Sequence, residues 1–301
     1  MDRIFKLLLA VMALLAMHPA AGALNIFACE PEWGALSREL AGEKGNVYVA
    51  TTALQDPHRI EARPSLIARA RNADLLVCTG AELEVGWLPL VLSQSGNPKI
   101  QRTQPGYFEA ARQVPLIEVP QTLDRAMGDV HAAGNPHIHL DPRNIARVAA
   151  ALAERMAQLD AADAQSYRSR ARAFLERWQQ ATVRWEERGR ALKGMPVVVY
   201  HRDMSYLIQW LGMREIGTLE PKPGLPPSTA HLTELVARLA QSPAKAVLRS
   251  AYNDPRPGAW LAERTHIPAV TLPFTVGGTE QAKDLFALFD DTLARLGAIP
   301  Q

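Results

Sequence analysis

Between Asp160 and Leu192 the sequence holds no proline and a single glycine, Gly189. Within that stretch Tyr167, Ala171, Phe174, Trp178, Ala181 and Trp185 recur at alternating spacings of four and three. Apolar residues so spaced form one stripe along an α-helix. The intervening positions, rich in Arg and Glu, read as its solvated face. At 1.5 Å per residue the helix would extend roughly 50 Å, and Gly194 and Pro196 would stop it. A rod of that length in mid-sequence divides the chain into halves that each need a core. With 301 residues there is enough chain for two.

Both halves alternate strand and helix. In the first, Asn25–Cys29, Val47–Thr51, Leu75–Cys78 and Leu116–Val119 read as strands. Helices are expected from Glu32 to Ala41 and from Ser65, as N-cap, to Asn72. In the second, strands are expected at Val197–Tyr200, Ala246–Arg249 and Ala269–Leu272. Helices are expected at Met204–Leu211, His231–Ala240, Arg256–Arg264 and Glu280–Leu296. Strands separated by helices imply βαβ units and a parallel sheet. The fold class is therefore α/β: two lobes, each a parallel-type sheet flanked by helices, joined by one long rigid helix. The expected bounds are 24–158, 159–194 for the linking helix, and 195–301. A single continuous sheet is the alternative. The stretch Leu219–Pro227 is proline-rich and reads as a stiff, irregular loop.

Residues 1–23 read as an export signal. Arg3 and Lys6 flank a short basic region, Leu7–Met17 is apolar, and Ala21-Gly22-Ala23 fits a small-residue cleavage pattern. The apolar run is short for a membrane span, so the mature chain is expected to start near Leu24, in the periplasm. Cys29 is a poor lipid anchor, because Phe27 is bulky where a small residue is wanted and Cys29 closes the first strand. A doubly wound order places the first and third strands side by side. Cys29 and Cys78 end those two strands, and an exported protein meets oxidising conditions. A Cys29–Cys78 disulfide is expected. The formal net charge of +2 makes no electrostatic case for nucleic acid or an anionic membrane.

Of eight histidines, His18 falls in the leader. His58, in Asp56-Pro57-His58, follows a strand. His137, in Asn135-Pro136-His137-Ile138-His139-Leu140-Asp141-Pro142, follows the expected fourth strand. His201 directly follows the strand ending at Tyr200. Open α/β sheets bind ligands outside the carboxyl ends of their strands, so a cleft between lobes lets these three converge. Three neutral imidazoles and a carboxylate make a tetrahedral set suited to Zn²⁺, whereas Mn²⁺ asks for more oxygen.

These segments, with Glu30-Pro31-Glu32-Trp33, Glu220-Pro221-Lys222-Pro223-Gly224 and Leu272-Pro273 before Gly277-Gly278, resemble the zinc- and manganese-binding proteins of ABC metal importers. The resemblance covers nearly the whole mature chain. It implies His58, His137 and His201 as ligands. Manganese-binding members carry Glu at the third place, so His201 points to zinc. The resemblance further implies Asp284 as fourth ligand; an N-terminal helix carboxylate is the other reading of that residue. Two departures stand out. The long His-rich loop of many zinc-binding members is reduced to Gly128–Gly134 with His131, and His139 replaces a common Trp. An auxiliary metal site on His131 and His139 is one reading; solvated or hydrogen-bonding side chains are the other.

The resemblance implies Zn²⁺ as the transported ligand and an ABC importer's membrane subunit as partner, with a periplasmic metallochaperone as a further candidate and the protein itself monomeric. It implies binding and not catalysis. The competing readings are a manganese-binding importer subunit, a periplasmic zinc hydrolase, and a metal-binding adhesin or store. The hydrolase needs a general base beside bound water, and no His-Glu-x-x-His motif occurs.

Overall fold

The structure, a computed structural model, describes residues 22–122, 128 and 130–300. Residues 1–21, most of the expected export signal, lie outside the described residues. Among the described residues no helix is long and apolar enough to cross a membrane.

The first sheet contains β1 (Leu24–Ala28), β2 (Gly45–Val49), β3 (Leu75–Cys78) and β4 (Tyr107–Glu109) in the order β2-β1-β3-β4, all parallel. The second contains β5 (Pro196–Val199), β6 (Arg214–Thr218), β7 (Ala246–Ser250) and β8 (Ala269–Leu272) in the equivalent order β6-β5-β7-β8. Each order reverses beside its first strand, which opens a crevice at the carboxyl ends there. Helices α1 (Pro31–Ala41), α2 (Pro64–Arg71) and α3 (Leu88–Ser95) accompany the first sheet. Then come α4 (Pro142–Leu159) and α5 (Ala164–Gly189), followed by α6 (Ser205–Leu211), α7 (Thr229–Gln241), α8 (Pro255–Thr265) and α9 (Leu285–Gly297).

Several helices start on proline: Pro31, Pro64, Pro142 and Pro255. The first turn has no use for the missing N–H, and the ring pre-sets φ. Pro64 therefore displaces Ser65 from its expected cap. Arg63 is the N-cap of α2, and its side chain makes no capping bond.

The expected long helix is α5, 26 residues or about 39 Å, extended by a 3₁₀ turn at Arg190–Leu192. It is shorter than expected because the chain breaks at Asp160–Asp163. There α4 ends and doubles back along α5. Trp178 Nε1 donates to the Pro142 carbonyl, and Arg168 pairs with Glu154, which fixes the two helices antiparallel. All six stripe residues of α5 are buried. They belong to one core with Ile26 and Val77 of the first sheet and Val197, Val199 and Leu248 of the second. Trp178 packs against Phe174, Trp185, Phe286 and Phe289, with ring centroids 4.9–5.6 Å apart. The helix is thus a wall common to both sheets.

The expected strand at Leu116–Val119 is not one. The fourth strand is Tyr107–Glu109, paired with β3. Leu116 and Ile117 pack on the core from an irregular crossing. There the Ile117 N–H donates to Tyr206 Oη and its carbonyl accepts from Asn135 N. Apolar character at 116–119 thus reflects contact between lobes and not a sheet ladder. The Cys29–Cys78 disulfide is present, with Cα atoms 4.8 Å apart across the neighbouring ends of β1 and β3.

Replacing Trp178 by Ala should destabilise the protein by about 3–5 kcal/mol, the cost of emptying a large buried site. Urea unfolding of W178A beside W178F, which should lose much less, measures it.

Candidate metal centre

Three segments leave the carboxyl edges of the sheets and meet in the crevice between them. His58 lies on the loop after β2. His131 and His137 lie on the crossing between lobes, His137 just before the 3₁₀ turn Ile138–Leu140. His201 immediately follows β5. The ligand nitrogens of His58, His137 and His201 lie within 4.8 Å of one another. Ring centroids are 5.3 Å apart for His58–His137 and 5.7 Å for both His58–His201 and His137–His201. A cleft of about 490 Å³ lined by His131, His137, His201 and Glu220 opens beside them.

Two of these rings are held from behind. Asp56 Oδ1 lies 2.7 Å from His58 Nδ1, and Glu220 Oε2 lies 2.7 Å from His201 Nδ1. A carboxylate accepting at Nδ1 places the neutral ring's proton there and leaves the Nε2 lone pair for a cation, the usual support of a metal-bound histidine. The carboxylates are positioned in turn. Asp56 also accepts from the His58 N–H, and Glu220 accepts from the Gly224 N–H in the proline-rich loop. His137 is different: the ring is buried and neither nitrogen has a hydrogen-bond partner. Its backbone N–H donates to Asn135 Oδ1, while Asn135 Nδ2 donates to the Arg202 carbonyl of the other lobe. An unpartnered buried imidazole beside two others, with lone pairs converging, is a metal-binding arrangement.

The titration behaviour divides the cluster. Burial, reinforced by His58 and His201, holds His137 well below the ordinary histidine range. Burial also pushes His131 down to about 4. At His201 burial again disfavours the cation, but the bond to Glu220 and the nearby Asp203 carboxylate outweigh it and raise the pKa. Of His131, His137 and His201, it is His201 that holds a proton most firmly.

Asp284 is not brought into the cluster. It is the exposed N-cap of α9, and its Oδ1 accepts from the Ala287 N–H. A carboxylate there satisfies an orphan donor of the first turn, which is the helix-end reading its sequence context allowed. His139 does not share a site with His131. It is buried on the cleft floor, donating from Nε2 to the Phe274 carbonyl, with Nδ1 3.3 Å from Glu32 Oε1. Glu32 accepts from Thr275 Oγ1 through its other carboxylate oxygen. His139 thus joins the lobes. The roles of Asp56 and Glu220 escaped sequence reasoning. For Asp56 the spacing was visible, since Asp two residues before His can reach it; for Glu220 only the fold supplies the contact.

Glu30 and Glu84 crowd the Thr79–Gly80 turn that follows β3. Glu84 accepts from both backbone N–H groups, and Glu30 accepts from Thr79. Burial raises both acids, Glu84 to about 7, and Glu30 rises well above the ordinary range because Glu84 adds like charge.

Two α/β lobes that present histidines in loops at the carboxyl ends of parallel strands define a cleft whose side chains can hold a metal ion. Residues 26–298 match the family described as zinc-uptake complex component A, periplasmic, and the chain belongs to that family. It is a metal-binding, substrate-binding component of the ABC-transporter type, which works with membrane permease and ATPase subunits. The chain is 22% identical over 268 residues to the metal ABC transporter substrate-binding lipoprotein of Streptococcus cristatus, covering 87% of this chain and 83% of that one. Against the high-affinity zinc uptake system protein of Paracoccus denitrificans the identity is 22% over 270 residues, 79% of each chain. Against a manganese ABC transporter substrate-binding lipoprotein of Streptococcus gordonii it is 21% over 271 residues, 87% of this chain and 83% of that one. A crystal structure of ZnuA superposes with a TM-score of 0.73 at 19% identity, covering 91% of this chain and 99% of the other, a likeness of fold.

Because a protonated imidazole has no lone pair to give, metal affinity should decline as pH falls through the raised His201 value. The decline then starts above the ordinary histidine pKa of about 6.5 and steepens to about tenfold per pH unit below it. Glu220→Gln removes the group that raises His201 and should move the onset to lower pH while weakening binding at pH 8 by about 10–100-fold. Zinc competition titrations from pH 5 to 8 on both proteins measure the shift.

Proposed function

We propose that the protein captures Zn²⁺ in the periplasm and delivers it to the membrane subunit of an ABC importer. The observation that carries this reading is the buried His137, both nitrogens unpartnered, facing His58 and His201, whose outer nitrogens rest on carboxylates. We assign His58, His137 and His201 as ligands. Imidazole suits zinc, copper and nickel, while an oxygen-poor set serves Mn²⁺ poorly. Relatives named for manganese favour the manganese reading; the nitrogen-rich donor set argues against it.

The reaction is binding. Zn²⁺ sheds water and is held by neutral rings. The lobes, 24–158 and 195–301, stay in place on the linking segment 159–194, and entry and release fall to the loops around residues 128–134 and 221–227. A hydrolase would need a general base aimed at metal-bound water. The two carboxylates beside the rings, Asp56 and Glu220, are instead engaged at the histidine Nδ1 atoms.

His201→Ala should weaken Zn²⁺ binding by at least about 100-fold, since losing a ligand outranks losing the group behind it, worth about 10–100-fold. A chelator competition titration reads this. The wild-type protein, purified without added metal, should carry one zinc per chain by elemental analysis and should prefer Zn²⁺ to Mn²⁺ in direct competition. Unchanged zinc affinity in H201A, or a preference for manganese, would overturn the proposal.

A further inference from the structure

The three histidines leave a tetrahedral site one ligand short. Among the described residues no carboxylate joins His58, His137 and His201 as a fourth ligand atom at their mutual spacing. Asp56 and Glu220 are turned to the histidine Nδ1 atoms. Asp203 is buried; its Oδ2 accepts from Ser250 Oγ and Tyr252 Oη, and its unpartnered Oδ1 does not lie within 4.8 Å of all three histidine nitrogens. The ring of Phe274 closes on His137 from the side of β8, 5.7 Å between centroids.

Among the described residues no other donor, His131 included, lies within 4.8 Å of all three, but His131 touches one of them. Its Nε2 lies 3.3 Å from His58 Nε2, and its ring stacks on His58 at 5.3 Å and meets His137 edge-on at 6.4 Å. The His58 nitrogen is the one left with a lone pair when Asp56 accepts at Nδ1. Two zinc–nitrogen bonds of about 2.0–2.1 Å at a tetrahedral angle put their nitrogens about 3.3–3.4 Å apart. The observed separation is one edge of such a tetrahedron.

We propose that His131 is the fourth ligand of this site, so that the captured ion is held by four imidazole nitrogens. This rests on the metal-binding reading above and adds the ligand count. The loop that carries His131 is fixed from both sides of the cleft. The Ala132 N–H donates to Glu82 Oε2 at 2.6 Å. Gly128, at φ +85°, passes so close to the Pro223 carbonyl that a Cβ there would sit 2.4 Å from its oxygen. A short loop with one histidine then performs coordination itself. An all-nitrogen set also sharpens discrimination against Mn²⁺, whose preferred donors are oxygens.

The test uses full-length protein labelled with ¹⁵N-histidine and loaded with one equivalent of Zn²⁺. Long-range ¹H–¹⁵N spectra distinguish a zinc-bound ring nitrogen from a free or hydrogen-bonded one. Four bound rings are expected in the wild type, three in His131→Ala, and the variant, having lost a ligand, should bind Zn²⁺ at least about 100-fold more weakly. If the wild type shows three bound rings with His131 merely hydrogen-bonded, or H131A keeps wild-type affinity, the fourth-ligand assignment fails. His137→Ala separates the two levels. Loss of tight Zn²⁺ binding there, with H131A unchanged, leaves the metal-binding reading standing without this ligand. Retained tight binding in H137A sinks that reading and the fourth ligand with it.

Discussion

Both sheets dock on one aromatic row, Phe174, Trp178 and Trp185 of α5, with Phe286 and Phe289 of α9 closing over it. Because α4 lies antiparallel along α5, the connection between lobes is two helices thick. A stiff shared wall holds the sheets at a set angle, so the loops at their carboxyl ends face one another across a gap of fixed width. The cleft floor is sewn as well. Glu32 accepts from Thr275, His139 donates to Phe274, and Asn135 donates to Arg202, each bond running from one lobe to the other. A wide hinge opening would break these buried bonds together, each worth about 1 kcal/mol net and more if a buried partner is stranded.

That rigidity lets the site keep an unfavourable arrangement before any ion arrives. His137 is buried with both ring nitrogens unsatisfied, a burden of about 1–3 kcal/mol per stranded group. A metal ion relieves it at the ligand nitrogen. Placing the carboxylates behind His58 and His201 and none behind His137 spreads the proton affinities apart: His201 rises while His131 and His137 fall. Of these three rings, His201 is the one at which protons compete most strongly.

Much of this plan was legible locally. The stripe on α5, β3 at Leu75–Cys78 and β8 at Ala269–Leu272 are where period and β-branched runs put them. The Cys29–Cys78 bridge followed from the strand order. The failures share a cause. Tyr107–Glu109 is three residues long, too short to show a period, and it forms a strand only because β3 offers an edge. β6, Arg-Glu-Ile-Gly-Thr, is an edge strand with a bulge in its pairing and no apolar alternation to read. Leu116–Val119 is apolar enough for a strand yet serves as the crossing between lobes, because its partners are Tyr206 and Asn135 and not a neighbouring strand.

The sequence by itself determined the class of fold and the two halves, since each is written in local spacing, a helical stripe and short β-branched runs; it also singled out three histidines, of which only His201 closely follows a strand. Only the tertiary structure decided how those histidines are supported and what lies beside them. Glu220 reaches His201 across 19 residues, and His131 reaches His58 across 73. Asp284 and His139 carry ligand-type side chains but face a helix end and an interface between lobes. Residue type supplies a donor atom. Whether that donor meets a cation, a helix N-terminus or a carbonyl is settled by where distant segments come to rest.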